Sequence, residues 1–313
     1  MGAPTITWLN NLLQLTVAGA VNGSAYALLG VAFGLIIGVT GRFHFAFTFT
    51  YTLAAFTAAE VGSRWGLPFW AALLVGALVG ACLGIAIEWL IYQPLAKRSG
   101  PNALLIIFVA SLGLAIAGTN AIALTWISSD TKSISGFTNA AITFGPITFT
   151  TLNLTMVLVS WLLIFALARI LVATTLGRMI RAVRSNPEMS LAVGVDPRMI
   201  YAVVFAIGSF LGGVSAVFQA TQTAATADMG FTPLFYAFVV AFLAGLGSPP
   251  LTVGLVALAL GLVESWSTLF LPTQWSALVV FTILFVYVAL RPVQLGGTLR
   301  RIASGSQPRS ARG

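Results

Sequence analysis

Residues 67–92 read LPFWAALLVGALVGACLGIAIEWLIY, and Glu88 is the one charged side chain among them. A helix needs about 20 mostly apolar residues to cross the hydrocarbon core of a bilayer. This run meets that length, and similar runs flank it on both sides. Apolar stretches at roughly 12–40, 44–62, 103–126, 151–173, 199–222, 232–247, 250–270 and 275–290 bring the expected number of spans to eight or nine. The stretch at 232–247 is short and runs into Gly245-Leu246-Gly247-Ser248-Pro249-Pro250, which predicts a re-entrant or broken helix, and residues 40–50 are irregular as well. The short alternating segments of an outer-membrane barrel are missing, so the expected fold is all-α, a polytopic membrane helix bundle.

Composition agrees with this reading. Of 313 residues, 58% are hydrophobic and 7% charged, against about 25% charged in soluble domains. A surface so poor in charge requires lipid as its solvent. The 31 Gly and 22 Phe suit closely packed membrane helices. No hydrophilic stretch is long enough to form a separate domain. Residues 1–292 therefore read as one transmembrane domain, and 293–313 as a basic, disordered tail rich in Gly and Ser.

The net charge of +8 resides in short loops and in that tail, where it sets topology and does not point to nucleic acid. With alternating spans, thirteen of the fifteen Lys and Arg residues fall on one side, and Arg64 and Lys132 on the other. Positive residues stay inside. The C-terminus is thus expected in the cytoplasm and the N-terminus outside, which requires an odd number of crossings. Trp8, Trp65, Trp70, Trp89, Trp126, Trp266 and Trp275 fall near span ends, where indole can sit between lipid tails and headgroups.

The side chains needed for catalysis are not there. Cys82 is the single cysteine and His44 the single histidine, so neither an internal disulfide nor a Cys/His metal cluster can form. No GxxxxGK[ST] phosphate loop occurs. The chain reads as a transport subunit without cofactor, not an enzyme, and any ATP that drives it must be bound by another chain.

The longest informative hydrophilic segment is TTLGRMIRAVRSNPEMSLAVGVDPR, residues 174–198, on the basic side. Arg178, Arg181 and Arg184 recur every three residues and share roughly one helical face. Asn186-Pro187 starts a second short helix and Gly194 ends it. Asp196 at the N-cap and Pro197 at N1 can open the next span. Short helices lying along a membrane are what a partner protein can grip; a merely topological loop is the plainer alternative.

Ionisable groups within spans are costly and often functional. Glu88, near the inner end of its span, is expected to snorkel toward Lys97 or Arg98. Glu264 lies well inside a span and is either structurally paired or part of a substrate pathway. Glu60 and Asp228 lie near outer ends.

The segment LGRMIRAVRSNPEMSLAVGVDPRMIYAVVFAIGSFLGGVSAV resembles the coupling loop and following helix of the branched-chain amino acid ABC permease family. The matching positions are Gly177, Arg178, Arg181, Ala182, Asn186, Pro187, Glu188, Gly194, Val195 and Asp196. Gly245, Leu246, Gly247 and Ser248 resemble the family's Gly-Leu-Gly-Ser segment, and Gly23, Ser24, Tyr26 and Ala27 its first helix. The resemblance implies ATP-binding subunits that grip the loop, a second permease subunit, an extracytoplasmic solute-binding protein, and inward transport of an amino acid or similarly small solute across a bacterial inner membrane. The chain departs from the family at His44-Phe45-Ala46-Phe47-Thr48-Phe49, where an Asn-Phe-Ala-His-Gly-Glu segment is usual, and this leaves the substrate open. His44, Phe45, Phe47 and Glu264 are the candidates for a substrate pathway. The rival is a stand-alone secondary transporter, which predicts several deep carboxylates and an internal repeat. Only Glu264 fits, and no repeat is evident. A channel would need a pore-lining polar periodicity, and none stands out.

Overall fold

The computed structural model describes residues 3–126, 134 and 136–290, with side chains from Trp8 onward except Pro101. The basic tail, residues 293–313, lies outside the described residues.

The chain is helical almost throughout. In order come α1 (Ala3–Thr40), α2 (Phe47–Trp65), α3 (Phe69–Arg98), α4 (Ala103–Thr125), a hairpin of β1 (Ala141–Phe144) and β2 (Ile147–Thr150), and α5 (Thr151–Ala173). Two short helices follow, α6 (Thr175–Ser185) and α7 (Pro187–Ala192), and then α8 (Pro197–Thr223), α9 (Phe231–Ala244), α10 (Pro250–Ser267) and α11 (Thr273–Leu290). Among the described residues, seven helices are long and apolar enough to cross a membrane, and α9 is apolar but shorter. Helix α2 has the length but carries Thr48, Thr50, Thr52, Thr57, Glu60 and Arg64. The fold is an all-α membrane bundle of the expected size.

Contacts between loops sort the helix ends into two sets. At the basic end, the Gln93 amide donates to the Arg198 carbonyl at 3.1 Å and Arg184 donates to the Gly247 carbonyl. At the opposite end, Gln14 exchanges two 2.8 Å hydrogen bonds with the Thr148 backbone, and Ser265 donates to the Leu15 carbonyl.

Small residues bring the central helices together, as expected where no hydrophobic force acts between helices in lipid. The stretch 67–92 places Gly76, Gly80 and Gly84 four residues apart on the face of α3 that meets α2 and α8. A Cβ at Gly80 would lie 3.2 Å from the Ser209 carbonyl, and one at Gly76 2.5 Å from the Ala54 carbonyl. Helix α1 lies antiparallel to α10 along a similar seam, where a Cβ at Gly23 would sit 2.8 Å from Leu258 Cα.

Two segments break the helices inside the bundle. Residues 41–46 are non-helical, and His44 and Ala46 are fully buried. Residues 224–230 are non-helical too, and Ala225 is fully buried. Irregular backbone at membrane depth is tolerated where protein surrounds it. The break near α9 therefore lies before the helix; the glycine–proline segment after it makes a tight turn at the basic end.

Candidate functional site

Two sites emerge, one at the basic end and one in the opposite half of the bundle. The first is the α6–α7 pair. Thr174 caps α6 by accepting from Gly177 N at 3.2 Å. Asn186 caps α7 by accepting from Met189 N at 3.0 Å, with Pro187 at N1. Gly194 turns the chain at φ +85°, a conformation that Gly adopts without steric cost. Asp196 then caps α8 by accepting from Arg198 N at 2.9 Å, with Pro197 at N1. Helix α6 buries Gly177, Ile180 and Val183 against the bundle, and Arg178 and Ala182 stay exposed. Arg181 donates back to the Leu171 carbonyl at the end of α5. The other side of the pair presents Met189, Leu191 and Val193, which are 66, 60 and 76% exposed.

The second site is a cavity of about 230 Å³ between α1, α2, α5, α8 and α9. That volume is below the roughly 300–1,000 Å³ of sites for drug-sized ligands, so it suits a small solute. Its lining combines the polar Asn22, Tyr51, Ser215, Gln219, Gln222 and Thr232 with the apolar Leu29 and Met156, and the Gln222 amide lies 3.9 Å from Met156 Sδ. The Tyr51 hydroxyl donates to Gln219 Oε1 at 2.5 Å, and the Gln222 amide donates to Asn153 Oδ1 at 3.0 Å. Tyr26 and Tyr236 also line it, stacked with ring centroids 4.2 Å apart. Neutral hydrogen-bonding groups form the wall, and a carboxylate stands behind it. Glu264 on α10 accepts from the Tyr236 hydroxyl at 2.6 Å.

The sequence-predicted pathway residues divide between these regions. Glu264 reaches the cavity through Tyr236. Phe47 packs against Tyr51 with centroids 6.1 Å apart, and His44 against Phe47 at 6.2 Å, so an aromatic column descends from the cavity toward the basic end. Phe45 faces Phe108 instead. His44 Nδ1 lies 3.0 Å from the Tyr92 hydroxyl. Glu88 does not snorkel. A π-helical turn at Glu88–Tyr92 points both side chains inward, and Glu88 forms an ion pair with Arg42 of the 41–46 break. Burial of the break brought the arginine within reach. Glu60 pairs with Arg64 at 2.7 Å, within its own helix.

Of the cavity residues only Tyr26 was named from the sequence, as part of the first-helix resemblance. Their signal is present: Ser215, Gln219 and Gln222 recur at helical spacing in an otherwise apolar half of α8, as do Asn22 with Tyr26 and Thr232 with Tyr236.

The family described as "Branched-chain amino acid transport system / permease component" matches residues 15–289. The chain belongs to this family. Among its relatives, the high-affinity branched-chain amino acid transport system permease protein BraD of Pseudomonas aeruginosa is 28% identical over 91% of this chain and 95% of its own length. The permease protein LivH of the corresponding Escherichia coli K12 system is 27% identical over the same shares. LivM, a second permease protein of that organism's system, is 24% identical over 78% of this chain and 61% of its own length. The chain is therefore a transporter permease component, a multi-pass protein of the bacterial inner membrane.

Proposed function

We propose that this chain is the membrane-spanning subunit of an ABC importer, moving a small amino acid with an aliphatic side chain inward. The basic end faces the cytoplasm, and separate ATPase subunits grip α6–α7. A second, related permease chain completes the pathway, and an extracytoplasmic binding protein delivers the solute.

The observation that carries this reading is the α6–α7 pair. Its caps hold both helices in fixed register, it exposes Met189, Leu191 and Val193, and it joins α5 to α8 directly. When the ATPases close on nucleotide, the pair moves and α5 and α8 tilt with it. The cavity lies between those same two helices, α1, α2 and α9, so their tilt changes its access. A small cavity lined by uncharged polar groups together with Leu29 and Met156 suits a zwitterion that carries an apolar side chain.

Ala182→Glu and Gly194→Arg test the reading. Ala182 is exposed on α6, and open space surrounds Gly194, so neither change fills a packed interior. Both variants are expected at near-normal abundance in the membrane, with weakened ATPase co-purification and lost transport. Normal transport in Ala182→Glu would leave α6–α7 as a topological signal only.

A further inference from the structure

Of the three arginines of α6, Arg184 is the one bonded to a segment distant in the chain. Its side chain stays exposed, and its Nη1 donates to the carbonyl of Gly247, in the turn between α9 and α10. That turn is built to be stiff. Gly245 and Gly247 hold φ of +87° and +79°, Ser248 Oγ donates to the Ala244 carbonyl at 2.6 Å, and Pro249 and Pro250 lead into α10. At Gly247 the φ of +79° favours glycine, and a Cβ there would meet the Arg184 guanidinium, which would have to swing aside. On its other side the turn rests on α1, where a Cβ at Gly38 would lie 2.9 Å from Gly247 Cα.

The two helices that leave this turn lead to the cavity. Helix α9 carries Thr232, Pro233 and Tyr236 into the cavity wall. Helix α10 runs along α1 to Glu264, which accepts from Tyr236 and so ties the far ends of the two helices together. The hairpin is tied at both ends, by the turn and by the hydrogen bond from Tyr236 to Glu264.

We propose that Arg184 is a positioning residue that couples α6 to the α9–α10 hairpin, so that motion at the ATPase-gripped pair reaches the cavity wall from α9 as well as from α5 and α8. This rests on the reading of α6–α7 as the ATPase grip. The chain itself joins α6–α7 to α5 and α8 alone; the Arg184–Gly247 hydrogen bond adds the hairpin. Chains of packed side chains and hydrogen bonds between helices carry such coupling. A guanidinium suits the task because it stays charged and retains further donors after one is used.

The experiment uses the complete transporter with its ATPase and binding protein in vesicles, and measures ATP hydrolysis and uptake of leucine for wild type, Arg184→Ala and Arg184→Lys. Arg184→Ala is expected to keep ATPase association and hydrolysis while uptake per ATP falls about tenfold. Arg184→Lys, which retains a donor, is expected to recover part of the loss. Gly38→Ala, which pushes the turn from the α1 side, is expected to lower uptake per ATP in the same way. Unchanged uptake per ATP in Arg184→Ala overturns the proposal. So does loss of ATPase association in that variant, which would make Arg184 part of the grip. Wild type without ATP-driven uptake or ATPase association would instead overturn the importer reading on which the proposal rests.

Discussion

The buried pair Arg42–Glu88 offers the sharpest test of how the break between α1 and α2 is held. Glu88 is fully buried and Arg42 is 7% exposed. The Arg42 guanidinium also lies 5.0 Å above the Tyr201 ring of α8. Glu88→Ala removes the counter-charge and leaves the guanidinium inside the bundle. Losing one partner of a buried ion pair costs roughly 3–5 kcal/mol, because the remaining charge is left uncompensated. Unfolding midpoints shift by about 2–4 °C per kcal/mol in domains of 150–250 residues. At the lower end of that range, suited to a longer chain, the expected drop is about 6–10 °C. The midpoint can be followed by tryptophan fluorescence of the detergent-purified protein. The pair is not fully satisfied, since Glu88 Oε2 has no partner among the described residues. Replacing both residues by apolar ones of similar volume often costs little. Arg42→Met/Glu88→Met should therefore melt above Glu88→Ala. Equal midpoints for wild type and Glu88→Ala, or a double variant no better than the single one, would refute the reasoning.

Other outcomes follow from the same contacts. Gly23→Val forces a side chain against the α10 backbone, an overpacking that costs roughly 1–3 kcal/mol, and should lower the midpoint by about 2–6 °C. Gln219→Leu removes the acceptor of the Tyr51 hydroxyl from the cavity wall; the loss of one such bond, about 0.5–1.5 kcal/mol, predicts roughly a 2–10-fold fall in uptake at unchanged membrane abundance. In a background lacking Cys82, cysteines at Ser185 and Asn139 should react with impermeant reagents from opposite sides of the membrane, cytoplasmic and external respectively; labelling of both from outside would overturn the orientation.

Much of this architecture was legible before any coordinates. Runs such as 67–92 exceed the thickness of the bilayer and admit one fold class, and the caps at Asn186-Pro187 and Asp196-Pro197 act locally, so residue type alone announced them. The irregular stretch at 40–50 was also visible, whereas the break near α9 was expected after that helix and lies before it. The consequences of the stretch at 40–50 were not visible. The ion pair Arg42–Glu88 joins residues 46 positions apart, and it forms because the 41–46 break is buried and a π-helical turn rotates Glu88 inward; neither can be read from hydropathy. The cavity was hidden for a related reason. Asn22, Tyr51, Gln219 and Thr232 come from four helices, and only packing brings them to one wall. The arginine triplet spaced by three suggested one shared face, yet Arg181 and Arg184 reach back to the carbonyls of Leu171 and Gly247, because a long side chain is steered by the nearest unpaired acceptor as much as by helical phase.

The central claim is that this chain carries a solute under power supplied by other chains. The direct measurement is uptake of radiolabelled leucine into proteoliposomes holding this permease, its partner permease and their ATPase, with the binding protein on the opposite side of the membrane from the ATPase. ATP supplied on the ATPase side should drive leucine accumulation, the non-hydrolysable analogue should not, and the purified permease alone should hydrolyse no ATP. Accumulation driven by an ion gradient without ATP, by this chain alone, would contradict the account and place the protein among secondary transporters.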